Sequence, residues 1–154
     1  MKNAMQFTMP SVFRSGLLAV LLLMFSHLDA QLFISNFEKF GLGIGTRSAQ
    51  PFILEARIGT NNRLVDTRIE LAGLYQLQDE TYHSISAGIA IALSPFADVT
   101  NIGLTIPVQL EIFPIPDFKR IALFIEAGPE FLLDQDEVDL RHTWGFRYYF
   151  SEPY

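Results

Sequence analysis

The sequence predicts an all-β chain: a small antiparallel up-and-down transmembrane β-barrel of about eight strands, preceded by an N-terminal signal peptide. Three observations lead there. Along 101–112, Ile102, Leu104, Ile106, Val108, Leu110 and Ile112 share one parity while Gly103, Thr105, Pro107, Gln109 and Glu111 share the other. That is period two held over about eleven residues, enough to cross a bilayer as a tilted strand. The same alternation returns along the chain between short polar or Pro-containing connections. The face opposite the apolar one mixes small residues with arginines and glutamates of nearly balanced sign.

Residues 1–30 read as a secretory signal peptide. Lys2 and Arg14 precede the apolar run Gly16 to Phe25, and Ser26-His27-Leu28-Asp29-Ala30 follows, with cleavage expected after Ala30. Residues 31–154 are then the barrel domain. No segment of it shows helical spacing, and none approaches the roughly twenty apolar residues of a transmembrane helix.

Strand-like runs lie at 38–47, 51–60, 65–78, 81–94, 101–113, 120–133 and 139–150. Their connections, S-A-Q, N-N-R, Q-D-E, P-F-A-D-V-T, P-I-P-D-F-K and D-Q-D-E, suit hairpins between sequential neighbours. Seven strands is an odd count, whereas bacterial single-chain barrels have even numbers. An eighth is expected from Leu32 to Phe37. Pro107 and Pro129 each remove a ladder donor, and a bulge is expected at Gly128-Pro129 that resets the parity of Glu130 and Phe131.

Parity sorts the side chains into two sets. Leu42, Ile44, Leu54, Ile58, Ile69, Leu71, Ile89, Ile91 and the 101–112 series form the apolar face. Lys39, Gly41, Gly43, Gly45, Arg47, Ser84, Ser86, Gly88 and Gly145 lie on the other, together with an ionic group of Glu55, Arg57, Arg68, Glu70, Glu111, Glu126, Glu130, Arg141 and Arg147. A soluble barrel hides the apolar face and a membrane barrel shows it to lipid. Gly and Ala pack poorly on a solvated strand surface, but inside a narrow tube they make room for large neighbours. The ionic group is therefore expected to pair inside the barrel, and Tyr75, Phe113, Trp144, Tyr148 and Phe150 to form aromatic girdles at the two interfaces.

A net charge of -6 with no Lys/Arg run speaks against nucleic-acid binding. The lack of cysteine excludes disulfides, thiolate metal sites and a cysteine nucleophile.

Three stretches, I-P-V-Q-L-E-I-F-P at 106–114, I-E-A-G-P-E-F at 125–131 and W-G-F-R-Y-Y-F at 144–150, carry a resemblance. The chain resembles the small outer-membrane β-barrel proteins common in Bacteroidetes, related in pattern to the PorT-like barrels. The aromatic final strand ending on Phe150 is similar to the C-terminal signal that the outer-membrane insertion machinery reads. The four residues after Phe150, the short loops and the missing strand depart from the pattern. The resemblance implies residence in the cell outer membrane, contact with outer-membrane lipid and passage through the barrel-assembly machinery, and says little about activity.

Two pairs, His83-Ser84 and His142-Thr143, combine an imidazole with a hydroxyl. Adjacent strand residues point to opposite faces, so neither pair is a base and nucleophile by itself. Asp134, Asp136, Glu137 and Asp139 offer oxygen ligands, but without the spacing and glycine of a calcium loop they read as a solvated acidic turn. The expectation is a monomeric, non-enzymatic barrel with no cofactor and a structural or adhesive role. Its rivals are a secreted soluble β-barrel holding an apolar ligand and an outer-membrane lipid-modifying enzyme.

Overall fold

The structure, a computed structural model, describes residues 30–38, 41–48, 51–59, 67–95, 101–115, 117–134 and 137–151. Residues 1–29 of the expected signal peptide, Lys39 and Asp136 lie outside these residues, while Ala30, the expected last residue of that peptide, opens the first strand. Nine strand segments follow in order: β1 Ala30–Phe37, β2 Gly41–Ser48, β3 Phe52–Gly59, β4 Arg68–Asp79, β5 His83–Ser94, β6 Asn101–Thr105, β7 Val108–Ile112, β8 Ile121–Leu132 and β9 Glu137–Tyr149.

Successive strands pair antiparallel except β6 and β7, which both lie between β5 and β8, and β9 pairs back with β1, so the sheet closes on itself. Closure joins the two end strands of the sheet, β9 and β1, over Gly145–Tyr149 and so pairs edges that a flat sheet would expose there. The segments β6 and β7 are two halves of one stave. Both lie between β5 and β8, and the register Ala90↔Thr105 continues without a shift into Ala87↔Val108. The barrel thus has eight staves, an even number, and the eighth is β1. Its turn into β2 ends on Gly41 at φ 83°, a left-handed conformation that glycine adopts without strain.

The interruption at Ile106-Pro107 comes from the two prolines lying beside each other. Gly88 N donates to Pro107 O at 3.0 Å and Ile106 N to Pro129 O at 3.1 Å, but neither proline can return a bond. No bulge forms at Gly128-Pro129. The register of β8 with β9 runs unshifted from Ile121↔Tyr148 to Leu132↔Glu137, so Glu130 keeps the parity of Glu126 and is buried. The extra residue sits elsewhere, between Gln76 and Gln78 on β4.

Following paired residues once around, from Tyr149 through Phe33, Gly45, Glu55, Ala72, Ala90, Thr105 and Glu130, returns to β9 at Asp139, ten residues from the start. With ordinary strand spacing, that stagger over eight staves tilts the strands by about 40°, and each residue climbs about 2.5 Å along the axis.

The apolar face points outward. Leu42, Leu71, Ile89, Ile91, Ile125 and Phe146 are each half exposed or more, while Arg57 and Arg147 are 1% exposed. From Val138 to Tyr148 the outward positions of β9, apolar but for His142, cover a height of about 25 Å.

Candidate functional site

The interior is the one place where charged side chains converge. Period two puts Glu55 and Arg57 of β3 on the inward face, and the register gives each a small neighbour: Gly43 beside Arg57, Gly45 and Ala72 beside Glu55. The same rule holds on the far wall. Arg147 lies beside Ala122, Arg141 beside Gly128 and Phe124 beside Gly145. At these positions a large side chain leans over a small one, while Arg57 beside Glu70 and Gln109 beside Glu126 pair large with large, which together fill a narrow barrel.

Arg57 stands at the centre. Its guanidinium donates to Glu70 at 2.7 Å, to both oxygens of Glu126 at 2.9 and 2.7 Å, and to Glu55 Oε2 at 3.1 Å. These contacts join β3, β4 and β8 across the lumen. Arg147 of β9 bonds Glu55 at 2.9 Å, Glu111 at 3.2 Å, Gln109 Oε1 at 3.0 Å and Ser35 Oγ at 3.1 Å. Arg141 bridges Glu70 and Glu126, and Arg68 reaches Glu130 and, at 3.6 Å, Glu70. All nine ionic residues expected on the inward face meet here.

Arg47 joins them. It lies 3.4 Å from Glu111 and 3.1 Å from Asp79, with Tyr149 OH at 3.4 Å. The sequence carried the signal, since Arg47 shares the parity of Gly43 and Gly45. Five arginines, Arg47, Arg57, Arg68, Arg141 and Arg147, now face five glutamates, Glu55, Glu70, Glu111, Glu126 and Glu130. Such a set is neutral, as groups removed from water must be if none is to stay uncompensated.

Aromatic rings complete the filling. Arg147 Cζ lies 4.2 Å from the Phe33 ring centre and 5.0 Å from that of Phe124, and Arg57 Cζ lies 4.4 Å from that of Phe37. Guanidinium faces are weakly hydrated and stack on aromatic rings while their edges donate hydrogen bonds. Towards the end holding both described chain ends, Phe33, Ile53, Leu74, Phe113, Ala122 and Tyr149 form an apolar cluster, and Tyr149 OH donates to Glu111 at 2.7 Å.

Phe113 is a correction to the expected girdle. It is 3% exposed and packs against Tyr149 in the interior, because it takes the parity of Glu111 and not of Ile112. The other girdle residues, Tyr75, Trp144, Tyr148 and Phe150, lie outward. Trp144 sits near the middle of β9 and Tyr148 and Phe150 at its end, so the three do not form one ring.

The remaining candidates stay apart. Ser84 is buried and accepts from Gln76 Nε2 at 3.0 Å, while His83 lies on the opposite face. His142 is exposed and Thr143 buried. Asp134 accepts from Ile102 N and Asp139 from Leu140 N, both at 2.8 Å or less, and no group of three or more metal-ligating residues occurs among the described residues. Guanidiniums bond every one of the five interior glutamates, although Glu55 Oε1 itself is buried without a partner, and such bonding cross-links the staves.

No protein-family model, no curated protein and no solved structure matches the chain. What stands is the class that geometry defines: a closed eight-stave antiparallel barrel, apolar outside and ion-paired within.

Proposed function

We propose that the chain is an integral outer-membrane β-barrel of the kind found among the small PorT-like proteins, exported through residues 1–30 and inserted by the barrel-assembly machinery. It acts as a monomer, without enzymatic activity, in a structural or adhesive role. One observation carries this reading: the burial is inverted, with arginines and glutamates inside and leucines, isoleucines and phenylalanines outside around the whole circumference. Water would meet that outer surface at a cost of about 25 cal/mol per Å2 of apolar area, and lipid removes the cost. A soluble carrier of an apolar ligand needs an apolar cavity, whereas here ion pairs occupy the lumen.

Cell fractionation and vesicle flotation test it. The expected outcome is recovery with the outer membrane, co-flotation with phospholipid vesicles, and faster gel migration before boiling than after. Free periplasmic protein that fails to float would sink the proposal.

A further inference from the structure

The described barrel wall is of unequal height, and the step leaves one strand edge without a neighbouring strand among the described residues. β9 meets β1 only over Gly145–Tyr149, with Glu38 N donating to Trp144 O at 3.1 Å just beyond. From Glu137 to Thr143 it pairs with β8 alone. Both Trp144 O and Phe150 N bond towards β1, so the even-numbered residues of β9 direct their N–H and C=O groups away from β8. At Val138, Leu140 and His142 those groups face no strand among the described residues. The nearest thing to a cover is Asp139 Oδ1, which takes the Leu140 N–H at 2.8 Å.

We propose that this edge is a strand-addition site for an extended segment of a partner protein, one that alternates apolar and basic residues. A row of unpaired peptide groups is a template for a further strand, which would extend the sheet through backbone bonds. The two sides of the edge define its side chains. Val138 and Leu140, 66% and 69% exposed, continue the apolar outer face, so one parity of the added strand is apolar. Glu137 and Asp139 are exposed on the other side with Asp134 beside them, so the opposite parity is Lys or Arg. Two β9 edges pairing antiparallel would set the barrels upside down relative to each other, which one bilayer forbids; this step rests on the membrane reading, and a second copy is an outcome of the test. Among the described residues the edge meets no strand whether or not the barrel lies in lipid, so peptide binding can fail independently of the membrane reading.

The test uses the detergent-folded full chain and short fluorescent peptides, so its outcome is independent of flotation. An alternating Leu/Lys peptide is expected to bind, and an alternating Leu/Glu peptide is not. N-methylation of the Leu/Lys backbone should weaken binding about tenfold, because it removes the ladder donors. Similar weakening is expected for His142→Pro, which deletes an N–H on the open side and leaves the β8 ladder intact. Equal binding of the N-methylated peptide overturns the proposal, and that comparison on the parent protein decides alone if His142→Pro does not fold. Glu137→Lys combined with Asp139→Lys should reverse the preference to Leu/Glu; an unreversed preference removes the stated partner chemistry. A parent dimer in sedimentation that His142→Pro dissolves would overturn the partner strand in favour of a second copy.

Discussion

Arg57 donates to three glutamates from three different strands and lays its face on Phe37, and no water is needed to satisfy it. Removing one charge from such a cluster leaves others uncompensated, and breaking a buried pair costs on the order of 3–5 kcal/mol. Glu126→Lys, which faces Arg57 and Arg141, and Arg147→Glu, which faces Glu55 and Glu111, are expected to lower barrel stability by about that much. Unfolding midpoints in detergent measure it. If both variants stay within about 1 kcal/mol of the parent, the range of exposed pairs, water reaches these groups and the interior is wrongly drawn. At this scale parity sorted the ionic residues, but it gave no pairing: that Arg57 meets Glu126, 69 residues away, follows only from closure of the barrel. It also left Phe33 and Phe124 unplaced, because their neighbours Leu32, Ile34, Leu123 and Ile125 are equally apolar, and Phe37 unplaced, because a lone phenylalanine between Asn36 and Glu38 has no alternation to fix its face. Their inward direction rests on glycines across the ladder. A Cβ on Gly43 would lie 2.9 Å from the Phe37 ring, and on Gly145 2.7 Å from that of Phe124.

Among the elements, the stave formed by β6 and β7 carries the cleanest alternation and also the break at Pro107. Two ladder donors are missing where Pro107 and Pro129 adjoin, yet the registers on both sides continue unshifted. The stave holds because its neighbours are closed around it, so lost bonds do not free an edge. Ile106 and Val108 point outward near its centre, 45% and 51% exposed. An arginine at a lipid-facing midplane position costs about 2–4 kcal/mol. Ile106→Arg should therefore destabilise the barrel by that amount when refolded into lipid vesicles. Refolding titrations that match the parent would remove this stave from the membrane. The bulge expected at Gly128-Pro129 does not form: Pro129 loses only the bond it would return to Ile106 O, Ile106 N still donates to the Pro129 carbonyl, and the register passes without an extra residue.

At the scale of the whole molecule, the interior set is neutral and buried apart from Arg68, whose side chain is 24% exposed, while the described exterior strand positions are largely uncharged. Salt acts on exposed charges within a Debye length, about 10 Å at 0.1 M, and much less on buried ones. Thermal unfolding in a non-ionic detergent is expected to shift little as salt is raised tenfold; a large loss of stability would mean that the ion pairs are solvated. Local patterning by itself determined where the strands lie, which residues share a face, and that the faces differ in kind, because side-chain direction alternates with every peptide along an extended chain. Only the tertiary structure decided that β1 is the eighth stave, that the ionic face turns inward, which carboxylate each guanidinium meets, and that β9 rises beyond β1. Those features depend on register and stagger accumulated around eight staves, and no single stretch of the chain contains that sum.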